Sequence, residues 1–104
     1  MRKYFLSDQA KEDLLAIFSY TLETWGEEQV PIYLNIVETA IERIADNPLL
    51  LGSKAPEDLS PGCRIFRSDK HFIIYQIMPP RIGIARILHE SMDFSRHIDE
   101  RAFD

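Results

Sequence analysis

Two stretches of the chain carry a clear helical period in their apolar positions. Ala10, Leu14, Ile17, Phe18, Thr21 and Trp25 recur at spacings of three and four, which predicts one buried face of a helix. Ser7 stands where an N-cap belongs, with Asp8 at the positive helix start. Gly26 ends this helix. Glu27 and Glu28 open a second helix, and Pro31 is tolerated in its first turn. Its apolar stripe runs through Val30, Tyr33, Leu34, Val37, Ala40, Ile41, Ile44 and Ala45, and Asn47-Pro48 stops it. A connection of one residue, Gly26, predicts an antiparallel helical hairpin. Tyr20, Tyr33 and Trp25 are expected in its core.

Elsewhere the period shortens. Lys3 to Leu6 reads as a short strand. Cys63 to Ser68 alternates, Asp69-Lys70 is a turn, and His71 to Met78 is the most β-prone run, ended by Pro79-Pro80. The stretch from Ile82 places apolar residues on both faces, which predicts a central strand buried on two sides. Residues 63–90 therefore read as a three-stranded antiparallel meander. Between Pro48 and Gly62, prolines and glycines exclude regular structure, and Leu49 to Leu51 are expected to tuck under the core. Asp93 opens a short C-terminal helical turn through Ile98, and Asp99 to Asp104 form a tail. The predicted fold is α+β, in the order β-α-α-β-β-β: an antiparallel twisted sheet packed against an N-terminal helical hairpin. The first strand adds beside the meander. A meander with an apolar face needs a cover, and the hairpin is the only one available.

Composition narrows the class. A chain of 104 residues, 45% apolar, fits one domain over residues 1–104. No apolar run reaches the roughly 18 residues of a membrane span, and the N-terminus turns polar too soon for a secretory signal. The single cysteine, Cys63, excludes an internal disulfide and fits a reducing, cytoplasmic setting, where it reads as a packing residue. The net charge of -5 argues against broad nucleic-acid binding. The charge is uneven. Residues 1–60 hold five bases against eleven acids, whereas residues 61–104 hold seven against six and all three histidines. His71, His89 and His97 are too scattered to suggest a metal site, and nothing calls for a cofactor. Arg86 and His89 stand near the end of a strand where a charge is costly unless paired or wet, so this end is the place to look for function. They lie on opposite parities unless a bulge re-aims one of them.

The ordered set Leu6-Ser7, Ala10, Asp13-Leu14, Ile17, Tyr20-Thr21, Trp25-Gly26, Gln29, Tyr33, Asn47-Pro48, Gly62-Cys63-Arg64, His71, Ile74-Tyr75, Ile87-Leu88-His89, Met92-Asp93 and Arg96-His97 resembles the ParE branch of the RelE/ParE toxin superfamily. The resemblance implies the toxin of a type II toxin–antitoxin module of the plasmid-stabilising kind. Such a toxin inhibits DNA gyrase by trapping its cleaved-DNA complex. A ParD-like antitoxin holds it silent in a hetero-oligomer, and neither catalysis nor sequence-specific nucleic-acid binding is expected. RelE-like relatives instead cleave mRNA on the ribosome, and fold alone does not separate the two. For a ribonuclease, Arg64, Arg86 and His89 are the available cations and general acid–base. The loop before Cys63 is poor in bases and no tyrosine follows Tyr75, which weighs against that reading. A third reading is a non-toxic remnant that only binds its partner. The antitoxin-binding candidates are Arg64, Arg67, Arg86 and Arg96 for its carboxylates, with Leu49, Leu50 and Leu51 for its apolar face. Arg64 can equally form a structural pair with Glu90, Asp93 or the chain terminus, and Arg86 a structural pair of its own.

Overall fold

A computed structural model of the chain describes residues 3–56 and 61–89. The order is β1 (Tyr4–Leu6), α1 (Asp8–Trp25), α2 (Gln29–Asp46), β2 (Cys63–Ser68), β3 (His71–Met78) and β4 (Arg81–His89). The helical turn predicted from Asp93 lies outside the described residues. Ser7 is the N-cap of α1, and its Oγ accepts from the Ala10 N–H at 3.0 Å. Three residues rather than one separate the helices, and Gly26 turns the chain at φ 92°.

The sheet order is β1-β4-β3-β2, so β4 is central, as its two-faced apolar pattern predicts. The meander is antiparallel, but β1 adds to β4 in parallel, which makes the sheet mixed. A three-residue apolar run reads the same in either direction, so its pattern cannot choose between them.

The core between helices and sheet gathers Ile17, Val37, Ile41 and Ile44 with Phe66, Ile73, Tyr75, Ile82, Ile84 and Ile87. A second cluster, Ile65, Ile74, Ala85 and Leu88, occupies the opposite face of the sheet. Strict alternation along β4 would put Arg86 in the first cluster and Ile87 in the second. A bulge prevents this. Tyr75 pairs with Ile84 but Ile74 with Arg86, so Ala85 is the extra residue. Ile84 and Ile87 then both reach the helices.

Two expectations about the hairpin fail. Trp25 is 65% exposed and Tyr20 56%, because the core takes Ala10, Ile17 and Thr21 from α1 and these two flank that stripe. Leu50 alone of its trio is buried, and Leu49 and Leu51 project outward.

Candidate functional site

β1 pairs with β4 only as far as Ile84, and beyond that the strand's open edge meets α1. The Ser7 hydroxyl donates to the Ala85 carbonyl at 2.7 Å. Further along α1, Asp13 accepts from the Ile87 N–H at 2.9 Å. The same carboxylate takes two bonds from Arg86, Nε at 2.8 Å and Nη2 at 2.9 Å. Both side chains of this pair are nearly buried, so the ion pair and the N–H bond together satisfy a carboxylate withdrawn from water. Arg86 thus has the structural partner that its place in the strand demanded.

Next to this pair a cleft of about 700 Å³ opens between the two helices and the ends of β3 and β4. Asp13, Ile17, Tyr20 and Trp25 line it from α1, and Gln29, Tyr33 and Ile36 from α2. Asp69, Lys70, His71, Ile87 and His89 line it from the sheet side. The bulge brings His71 opposite His89, their rings edge to face with centroids 5.3 Å apart. His71 is buried, and its Nδ1 is hydrogen-bonded to the Tyr33 hydroxyl, which ties α2 to β3. The Tyr20 ring stands 6.3 Å from that of His89. Among the described residues, no three His, Cys, Asp or Glu side chains gather in a group that could hold a metal ion.

The sequence candidates are dispersed over this frame. Arg64 donates from Nε to Ser53 Oγ at 2.7 Å and from Nη2 to the Ser53 carbonyl at 3.2 Å. Ser53 Oγ also meets the Tyr75 hydroxyl, which donates to the Pro48 carbonyl. Arg64 therefore helps to hold the 47–54 loop and the outward leucines on it. Its pairing with Tyr75, against His71 with His89, separates it from His89 by four steps of β3, about 13 Å along the strand. Arg64, Arg86 and His89 do not converge on one point. Arg67 lies over the Phe72 ring at 5.7 Å, and its Nε donates to the Asp69 carbonyl at 3.3 Å. Arg96 lies outside the described residues. Sequence reasoning put Tyr20, Tyr33 and Trp25 in the core, against which only Tyr33 of the three packs, and weighed His71 only as too scattered from the other histidines for a metal site, so it missed all four as lining of this cleft. Only the bulged register of β3 and β4 makes His71 the neighbour of His89.

The model of the ParE toxin of type II toxin–antitoxin systems, parDE, matches residues 4–94. The chain belongs to this family. Toxin ParE1 of Caulobacter vibrioides is 36% identical over 98 residues, 94% of this chain and 99% of the relative. Toxin ParE of Escherichia coli is 33% identical over 107 residues, 97% of each. Among solved structures, the chromosomal ParDE system from P. aeruginosa shares the fold with a TM-score of 0.73 at 18% identity, covering 86% of this chain and 96% of that one. As a ParE family member the chain is the toxin component of a type II toxin–antitoxin system. No helix among the described residues is long and apolar enough to cross a membrane.

Proposed function

We propose that this toxin inhibits DNA gyrase by binding and trapping its cleaved-DNA complex, in the cytoplasm, and that a ParD-like antitoxin neutralises it. The family match over residues 4–94 carries this reading. Action by binding rather than catalysis is supported by the dispersal of Arg64, Arg86 and His89, two of which are engaged with Ser53 and Asp13. The cleft beside His71 and His89 is an open, largely apolar trough of a size that accepts an amphipathic segment. Arg67 and the outward Leu49 and Leu51 offer further contacts to such a partner, and Arg64 and Arg86 act behind that surface by holding its loop and strand.

A gyrase supercoiling assay with the purified chain tests the proposal. Accumulation of cleaved DNA is the expected result, reversed by the antitoxin encoded beside the gene. Cleavage of ribosome-bound mRNA without effect on gyrase would replace it with a ribonuclease. Neither activity, with tight antitoxin binding, would identify a non-toxic remnant.

A further inference from the structure

The 47–54 loop is exposed but tightly held. The Leu50 N–H donates to the Asn47 carbonyl and the Ser53 N–H to the Leu50 carbonyl, both at 3.0 Å. Lys54 exchanges backbone bonds with Ile65 of β2, at 2.9 and 2.8 Å. The Tyr75 hydroxyl holds Pro48 and Arg64 holds Ser53. Gly52 turns at φ 94°, where a side chain would be strained, with the Phe66 ring 3.5 Å from where a Cβ would stand. Leu50 is anchored in the core. From this frame Leu49 projects 66% exposed and Leu51 99% exposed. An apolar side chain fixed in water gains by burial and loses little freedom on binding, which is what an anchor for a partner requires.

We infer that Leu49 and Leu51 form a knob by which the toxin docks into an apolar pocket, rimmed with carboxylates, on its target protein. Position separates the knob from the cleft. No residue of the 47–54 loop lines that cleft, and Tyr75, which holds the loop, lies four residues along β3 from His71. Charge specifies the rim. Exposed Lys54 belongs to the loop itself, and the Arg43 guanidinium stands 5.6 Å from the centre of the Phe66 ring that backs Gly52. Asp46, in the last turn of α2, is engaged by Lys3 at 2.9 Å. Cations beside an apolar anchor select acids around the pocket that receives it. A net charge of -5 disfavours both a nucleic acid and a second copy of this chain as the occupant. The inference rests on the proposal that the target is gyrase, and assigns the surface that meets it.

The full chain is compared with Leu49→Ser/Leu51→Ser in gyrase cleavage, in binding to the neighbouring antitoxin, and in denaturant unfolding. The double variant should unfold at the wild-type midpoint, since neither side chain is in the core. It should need at least about tenfold more protein for half-maximal DNA cleavage, a larger change than in its Kd for the antitoxin. Leu49→Met with Leu51→Met should restore cleavage. Arg43→Glu with Lys54→Glu should also weaken it, most at low salt. Wild-type cleavage by the serine variant, a loss confined to antitoxin binding, or a loss traced to DNA binding or to a dimer of the chain would each overturn the inference alone. A wild-type chain without effect on gyrase would overturn the proposed target and the inference with it.

Discussion

Asp13 secures β4 where its outer edge is open. One carboxylate holds Arg86 through two bonds and the Ile87 N–H through a third, where β1 no longer covers the strand. Breaking a nearly buried pair from one side leaves the other charge uncompensated, which costs far more than the pair contributes on balance. Asp13→Ala should therefore lose about 3–5 kcal/mol in denaturant unfolding. Asp13→Leu combined with Arg86→Met should recover only part of that loss, because an apolar pair needs no compensation but the Ile87 N–H still loses its acceptor. If the single variant unfolds at the wild-type midpoint, the pair is not structural. The sequence marked Arg86 as a charge in need of a partner. It could not single out Asp13, 73 positions away, from the other acids of α1.

Among the elements, α1 and β4 are fastened to each other by their ends. The Ser7 hydroxyl accepts from the first turn of α1 and donates to the bulged Ala85, so one side chain starts the helix and closes the strand's edge. Ser7→Ala removes both bonds at a buried position and should cost about 1–2 kcal/mol, more than an exposed cap would. Hydrogen exchange at Ala10 should rise with it, and unaltered exchange there would show the cap to be dispensable. The bounds of β2 and β3 and the cap of α1 were legible because alternation, turn residues and caps are local signals. The bulge was not. Counting back from the Pro79-Pro80 turn, where Met78 pairs with Arg81, strict register sets His71 against Leu88. The extra residue at Ala85 moves it to His89.

At the scale of the whole molecule, the cleft exists because four separate elements meet. Tyr20 comes from α1, Tyr33 from α2, and the histidine pair from the ends of β3 and β4. The Tyr33–His71 bond is a polar tie between α2 and β3 at this end, beside the Asp13 bonds that join α1 to β4. Tyr33→Phe should lower stability by about 0.5–1.5 kcal/mol, a shift of several degrees in the melting temperature of a domain this size. It should also loosen the cleft enough to be read in the near-ultraviolet spectrum of Trp25. A melting curve superimposable on that of the wild type would remove the tie from the account. The sequence alone determined the elements, the helical hairpin, the central place of β4 and the family resemblance, since each rests on spacing within a short window or on an ordered set of residues. Tertiary structure alone decided the parallel direction of β1, the side on which Tyr20 and Trp25 emerge, the partner of Arg86 and the meeting of the two histidines. These depend on contacts between residues far apart in the chain, and no local period encodes them.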